Sequence, residues 1–326
     1  MTLATQFPIA ILSVTLSLAP PTGDWIPASI NGDCNATDVH FSDSVHGFAT
    51  CSSDKGMVTD DGGLNWTVFP THLQQSLVFA FDAGGDVLYA ARNGLYRSVD
   101  RGQSWNEIGG LSSNDGSVLD VHFKADGNLV AIQGPELRFS DNGGANWESA
   151  FSLEYPMAVH ELHFPEGQEL TDSVGYATGG VTFDGFSEGS VLRTIDGGHH
   201  WTPLAFPNGH IIAATFFDAD SGVVATLFGN VYTTANGGVS WESAGALPDN
   251  AILMDLVHRD NKHWIGVSLQ GCLYETTDGG RAWKAAYCDS KNRGLIALAP
   301  AGGALVAVGN DGLVLYENRV FADGFD

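Results

Sequence analysis

One eight-residue pattern occurs six times in this chain: Ser or Thr, any residue, Asp or Asn, any residue, Gly, two further residues and Trp. Six copies in one register indicate a repeat architecture. The tryptophans fall about 40 residues apart, with one longer interval before Trp201. The key positions are Thr59, Asp61, Gly63 and Trp66; Ser98, Asp100, Gly102 and Trp105; Ser140, Asn142, Gly144 and Trp147; Thr194, Asp196, Gly198 and Trp201; Thr234, Asn236, Gly238 and Trp241; Thr276, Asp278, Gly280 and Trp283.

Each repeat unit reads as four short strands with turn residues between them, which is typical of a β-propeller blade. The unit after Trp283 has only three such strands, GLIALAP, GALVAVG and GLVLYEN, while WIPASI, which contains Trp25, can supply the fourth. The sequence therefore predicts an all-β, seven-bladed β-propeller over residues 24–320, with four-stranded antiparallel blades. In this prediction the N-terminal strand completes the last blade and closes the ring, which removes an open sheet edge.

The repeated pattern is expected to form the turn between the third and fourth strands of each blade. Gly at the fifth position can adopt the positive φ that a tight turn requires. The Ser or Thr hydroxyl and the Asp or Asn side chain can accept backbone N–H bonds within the turn, and the Trp can pack beneath it. We predict a structural role for these residues and no catalytic one.

Four cysteines form two pairs that are each symmetric about a predicted turn. Cys272 and Cys288 are centred on Gly280, and Cys34 and Cys51 are centred between Ser42 and Asp43. Cross-strand neighbours lie within disulfide range, so we predict two disulfides and an oxidising compartment. Free buried thiols are the alternative.

The formal net charge is −24, from 14 Lys plus Arg against 38 Asp plus Glu. Such a surface repels nucleic acid and anionic membranes and leaves cationic or neutral partners and calcium open, while solubility alone is the simpler interpretation. The partner expected on one propeller face is a protein, with a glycan as the other candidate. An uncharged run from Phe7 to Ala19 predicts a signal peptide over 1–20 and export to the periplasm or medium. A misplaced start or a disordered tail is the alternative. No other run is long enough to span a membrane. We expect a monomer that ends in a short tail, 321–326.

Several polar residues fall on the predicted first strands. Asp38, Asp120, Glu161 and Asp255 are the carboxylates that a glycosidase would need near the axis, but hydrogen bonding to strand ends is the simpler interpretation. His40, His122 and His163 share one position on three strands and suggest either a metal site or packing between blades. The loop from Asp218 to Gly222 resembles a calcium loop without its later ligands. No catalytic, metal or cofactor site is predicted.

The repeated pattern resembles the Asp box, or BNR repeat, of sialidases and related propellers. The wider blade pattern, as in HGFATCSSDKGMVTDDGGLNW, is similar to the photosystem II assembly factor family typified by Ycf48 and HCF136. That resemblance implies a non-enzymatic assembly scaffold, which in photosynthetic members binds a membrane-protein subunit through a basic patch. This chain is instead acidic. A secreted Asp-box glycoside hydrolase, sialidase-like or xyloglucanase-like, is the alternative, although no Arg-Ile-Pro motif is present.

The longest unit contains an insertion over Gly179–Ser190, of sequence GGVTFDGFSEGS. Loops at one face carry function in repeat folds. We therefore expect the first partner contact there. The tail VFADGFD resembles the endings of some secreted bacterial proteins.

Overall fold

The computed structural model describes residues 24–52, 54–72, 80–84, 87–91, 94–111, 115–124, 127–165, 173–206 and 208–318. The predicted signal segment 1–20, the tail 321–326, and Val78 and Phe79 of the second predicted blade lie outside the described residues. Among the described residues no helix is long and apolar enough to cross a membrane.

The described strands form seven separate sheets, which we number in chain order. Sheet 1 contains β3 (Ala36–Phe41), β4 (Gly47–Cys51), β5 (Lys55–Thr59), β6 (Asn65–Pro70) and the added β2 (Ser29–Asn31); sheet 2 contains β7 (Ala80–Gly84), β8 (Val87–Ala91), β9 (Leu95–Ser98) and β10 (Asn106–Ile108); sheet 3 contains β11 (Val118–Phe123), β12 (Leu129–Gln133), β13 (Glu136–Ser140) and β14 (Glu148–Ser152).

The remaining sheets follow the same plan. Sheet 4 contains β15 (Glu161–His163), β16 (Gly175–Phe183), β17 (Phe186–Thr194) and β18 (Thr202–Leu204); sheet 5 contains β19 (Ile211–Phe216), β20 (Gly222–Thr226), β21 (Asn230–Thr234) and β22 (Glu242–Ala246); sheet 6 contains β23 (Leu253–His258), β24 (Trp264–Ser268), β25 (Cys272–Thr276) and β26 (Lys284–Cys288); sheet 7 contains β27 (Leu295–Ala301), β28 (Ala304–Gly309), β29 (Val314–Asn318) and β1 (Asp24–Pro27). Single 3₁₀ turns cover Pro248–Asn250 and Asn310–Gly312. The prediction of an all-β chain is confirmed, and six of the seven described sheets are four-stranded and antiparallel as predicted, whereas sheet 1 has a fifth strand, β2, that pairs in parallel.

The core lies between neighbouring sheets because both faces of each sheet are apolar. The second strands β4, β12, β20, β24 and β28 are buried at every residue, as expected for strands covered on both faces. The seven first strands contact one another in order, from β3 to β7 and onward to β27, and β27 in turn contacts β3. Each sheet therefore packs against the two beside it.

The N-terminal segment belongs to two sheets. β1 pairs antiparallel with β29, with Trp25 opposite Glu317, and β2 then pairs parallel with β6 of sheet 1. The sequence analysis anticipated the first pairing but not the second. A buried ion pair adds to this junction, since Arg259 of sheet 6 contacts Glu317 of sheet 7, which also accepts the N–H of Leu305.

Both predicted disulfides are present. Cys34 bonds to Cys51 and Cys272 bonds to Cys288, with sequence separations of 17 and 16 residues. Cys272 and Cys288 are direct partners on β25 and β26. Cys34 lies just before β3, whose first residue Ala36 pairs with Cys51. No free cysteine occurs among the described residues.

Replacing Cys272 and Cys288 together by Ser should lower the free energy of unfolding by about 3 kcal/mol, because the cross-link no longer restricts the unfolded chain. Cys288 is exposed and Cys272 only half-buried, so the replacement leaves little cavity. Urea unfolding with and without reductant measures the change. A double variant as stable as the oxidised parent would contradict the expectation.

Candidate functional site

The repeated turn joins the third and fourth strands of sheets 1 to 6 and is held by the same bonds in each copy. The Ser or Thr hydroxyl accepts the N–H of the fifth-position glycine, as in Gly63 N to Thr59 Oγ1 at 3.1 Å. The hydroxyl also donates to the third-position side chain, as in Thr59 Oγ1 to Asp61 Oδ1 at 2.9 Å. The hydroxyl and the third-position side chain therefore form hydrogen bonds inside the turn itself.

The third-position oxygen also accepts the N–H of the residue four positions later, as in Asn65 N to Asp61 Oδ1 at 2.9 Å. An Asn amide oxygen serves equally well, which explains Asn142 and Asn236. Hydrogen bonds from Ser104 hold the pKa of Asp100 below its usual range, and the N–H of Ala282 does the same for Asp278. Such bonds favour the ionised carboxylate.

The fifth-position glycines all have positive φ, from +79° at Gly102 to +98° at Gly198. A Cβ on Gly63 would also lie 2.5 Å from Val306 Cγ2 of the neighbouring sheet. In five copies the Trp Nε1–H donates to this glycine's carbonyl, as in Trp66 at 2.9 Å. Trp66 and Trp201 are buried, whereas the other four are half-buried, so the tryptophans pack under the hairpins to different depths.

Asp61→Ala should lower the free energy of unfolding by about 2 kcal/mol, because it removes the acceptor for several turn donors at once. The adjacent Asp60→Ala is the matched control, since Asp60 is exposed and its carboxylate contacts Arg101 and His46 only at the surface. Its cost should be below about 1 kcal/mol. Chemical denaturation of both variants gives the comparison, and equal losses would refute the structural role.

Three aspartates occupy the same structural position on first strands, and two of them, Asp120 and Asp255, also bond to the first strand of the next sheet. A register shift precedes Asp38, Asp120 and Asp255 in their strands. Asp120 accepts the N–H of Val121 at 2.7 Å and that of Leu162, on the next sheet, at 2.6 Å.

Asp255 repeats this arrangement with Leu256 at 2.6 Å and Leu298 at 2.7 Å. Asp38 Oδ1 accepts Val39 N at 2.8 Å. The carboxylates of Asp120 and Asp255 are thus directed at strand backbone rather than into a substrate cleft.

Glu161 and His163 complete an electrostatic cluster with Asp120 and Asp255. Burial, reinforced by the charge of Glu161, raises the pKa of Asp120 from 3.8 to about 7 and that of Asp255 to about 6. Burial opposes protonation of His163, but the charges of Glu161, Asp120 and Asp255 raise its pKa above the usual value. His163 Nε2 lies 3.4 Å from Glu161 Oε2.

The three histidines singled out in the sequence do not converge. His122 stacks on Phe164, with ring centroids 4.3 Å apart, and His163 bonds to Thr178 Oγ1 at 3.1 Å. No group of three metal-ligating side chains converges within the described part of the chain. A cavity of about 450 Å³ lies among these rings, lined by His122, His163, Phe164, Phe216, Phe217 and His258.

The loop that resembles a calcium site is a hairpin turn. Asp218 Oδ1 accepts the N–H groups of Asp220 at 2.8 Å and Ser221 at 2.7 Å. The loop joins β19 to β20 and is bonded to the repeated turn of its own sheet, through Gly237 N to Asp220 O at 2.7 Å. Corresponding bonds in other sheets place the first turn and the repeated turn at one end, which we call the repeated-turn end.

The exposed aromatic residues lie at the other end of the sheets, which we call the hairpin end. The insertion predicted from sequence forms the tip of the hairpin β16–β17, where Phe183 and Phe186 are partners and are 69% and 47% exposed. Tyr155, between β14 and β15, is 80% exposed, and Phe228, between β20 and β21, is 57% exposed. The large apolar residues exposed in the described repeated-turn end are aliphatic.

Sequence reasoning located the hairpin but missed Tyr155 and Phe228. These two lie in connections about 70 residues apart in the chain, and no periodic signal links them. The sequence analysis favoured hydrogen bonding of the first-strand aspartates to strand ends but did not foresee that Asp120 and Asp255 bond to the next sheet, because hydrogen bonds between units leave no spacing pattern within a unit.

The stability of the protein should fall as pH rises from about 4 to about 7. Over this range the folded state keeps protons on Asp120 and Asp255 that the unfolded chain has released, so deprotonation favours unfolding. Both side chains are half-buried and keep some contact with water, so partial screening limits the loss to about 1 kcal/mol each.

Asp120→Asn should flatten this dependence when urea unfolding is measured at several pH values between about 5 and 8. Asp289→Asn is the control, because the side-chain hydrogen bond from Arg293 lowers the pKa of Asp289 to about 2. Its titration lies below the tested range. An unchanged pH dependence in Asp120→Asn would rule out this assignment.

Separate antiparallel sheets, six of four strands and one with an added parallel strand, that pack through their first strands define a β-propeller. No sequence-family model matches the chain. It is 31% identical over 282 residues to the photosystem II assembly lipoprotein Ycf48 of Synechococcus sp. (strain CC9902), covering 71% of this chain and 83% of the relative. Ycf48 of Prochlorococcus marinus (strain MIT 9313) is 28% identical over 275 residues, covering 68% and 78%. The chain belongs to the Ycf48 family.

A solved structure described as YCF48 bound to a D1 peptide has the same fold, with a TM-score of 0.72 and 17% identity. The match covers 92% of this chain and 99% of that one. The predicted resemblance to Ycf48-like propellers is thus confirmed, while these relatives give the glycoside hydrolase alternative no support.

Proposed function

We propose that this protein is an exported, non-enzymatic assembly scaffold that binds a polypeptide segment of a partner protein. The observation that carries the proposal is the concentration of exposed aromatic side chains at the hairpin end, where Tyr155, Phe183, Phe186 and Phe228 face solvent. Exposed aromatic residues of this size are frequent in protein-binding surfaces. The curated relatives are named as assembly lipoproteins, and one solved relative is described as bound to a peptide.

The scaffold is proposed to be a closed ring of seven blades. The cyclic contacts of the first strands support this, as does the pairing of β1 with β29. Closure by strands from both ends of the chain restricts separation of the sheets. In this proposal the six repeated turns stabilise the blades and take no part in chemistry.

Export is supported by two observations. Two disulfides persist best in an oxidising compartment, and the relatives are named as lipoproteins. We propose a periplasmic or extracellular location.

The partner is not expected to be anionic. The net charge is −24, which disfavours nucleic acid and acidic surfaces. A polypeptide that is apolar or basic at its contact segment matches this surface, and a glycan is the weaker alternative.

The proposal predicts a stoichiometric complex with a specific protein from the same compartment. The protein is purified from its native source with its partner, and the complex is rebuilt from the two purified components and characterised by size exclusion and calorimetry. A dissociation constant in the micromolar range or tighter is expected. Incubation with polysaccharides should release no new reducing ends. Release that disappears in Asp120→Asn would instead favour the hydrolase.

A further inference from the structure

The hairpin β16–β17 extends beyond both of its neighbouring strands. β16 and β17 pair from Gly175–Thr194 to Phe183–Phe186, but β15 reaches only Tyr176 to Thr178 of β16, and β18 reaches only Val191 to Arg193 of β17. The tip therefore projects at the hairpin end. A two-residue turn closes it, with φ of +46° at Asp184 and +81° at Gly185.

Contacts on one face hold the projecting tip in place. Side chains of successive strand residues alternate between faces, and Thr182 and Ser187 share the face that meets the connection before β19. Thr182 Oγ1 lies 3.3 Å from His210 Nδ1, and Ser187 Oγ accepts His210 N at 3.1 Å. A Cβ on Gly180 would lie 2.8 Å from the Cα of His210, so the glycine permits this close approach.

The other face of the tip carries Phe183, Phe186 and Glu188. Further along this face Ser190 Oγ accepts Ala158 N at 3.2 Å, which ties the hairpin to the connection that contains Tyr155. The exposed aromatic groups of the tip and of that connection thus lie on the same side of the hairpin. The hairpin that carries them is bonded to His210 on one face and to Ala158 on the other.

A groove of about 270 Å³ lies between the hairpin and this connection. Its apolar walls are formed by Met157, Val191, Leu204 and Phe206 among others, and exposed Glu154 and Glu188 also line it. None of the described residues that line the groove is Lys, Arg or His. An apolar cleft with two carboxylates and no cation suits a long side chain with an apolar stem and a positive head.

We propose that this groove and the hairpin tip bind a basic, apolar segment of the partner protein. A Lys or Arg of that segment inserts its methylene stem into the groove and places its charge between Glu154 and Glu188. Neighbouring apolar side chains of the segment cover Phe183, Phe186 and Tyr155, whose rings also attract a guanidinium. The inference rests on the proposed function and adds the site and the chemistry of the partner.

Charge complementarity favours a basic partner segment over a second copy of the chain as the occupant of the groove. Each copy carries the same acidic groove and a net charge of −24, so two copies repel at low salt. A partner segment with positive charges is attracted instead, and its binding weakens as salt screens the exposed pairs.

The test uses fluorescence anisotropy with the full-length protein and a labelled peptide that alternates Leu and Phe with Arg and Lys. The matched control peptide carries Glu in place of Arg and Lys. We expect binding of the basic peptide only, weakened about tenfold by Glu154→Gln with Glu188→Gln, and by Phe183→Ser with Phe186→Ser. The control variants are Glu242→Gln, in an outer strand, and Val99→Ser, at the repeated-turn end. Both should bind normally.

Charge reversal separates recognition from mere structural damage. Glu154→Lys with Glu188→Lys should lose the basic peptide and gain the acidic one. Equal affinity of all variants for the basic peptide would overturn the proposal. A homodimer detected by sedimentation that the Phe183→Ser and Phe186→Ser substitutions dissociate would also overturn it. If the rebuilt partner complex is unaffected by these variants, the site is wrong while the scaffold function stands. If the peptide binds as expected but no partner complex forms, the scaffold function fails and the site remains.

Discussion

Each sheet of this protein has two apolar faces, and neither can be buried within the sheet itself. Five of the second strands, β4, β12, β20, β24 and β28, are buried at every residue, so these sheets require a neighbour on both sides. Removing one sheet would expose two apolar faces, each a large loss of hydrophobic stabilisation. The contacts between first strands of neighbouring sheets meet this requirement, and the other features of the molecule depend on them.

Two kinds of polar contact work within this apolar arrangement. The repeated turns are local, since their hydroxyl, carboxylate and N–H groups lie within a few residues of each other. The Asp120 and Asp255 carboxylates are not local, because each joins its own strand to a strand about 42 residues away. Their burial raises their pKa values, so this contact between sheets is sensitive to protonation, while the turn aspartates stay ionised.

The hairpin end differs from the repeated-turn end in what it offers a partner. The repeated turns use their polar groups internally and expose single aliphatic residues, whereas the hairpin end exposes aromatic rings beside Glu154 and Glu188. In a fold whose sheets are held on both sides, a projecting hairpin is a rigid support for recognition. The acidic character of this chain favours a basic partner segment there.

The sequence by itself determined the repeat, the strand order within each unit, the turn chemistry and both disulfides. These depend on residues close together in the chain, and their spacing records them. The tertiary structure alone decided the parallel pairing of β2 with β6, the aspartate contacts between sheets and the placement of Tyr155 at the same end of the sheets as Phe183 and Phe186. It also decided that His40, His122 and His163 form no common site. Each of these depends on how one unit packs against the next. The residue pattern within a unit does not show which residues of different units come close together in space.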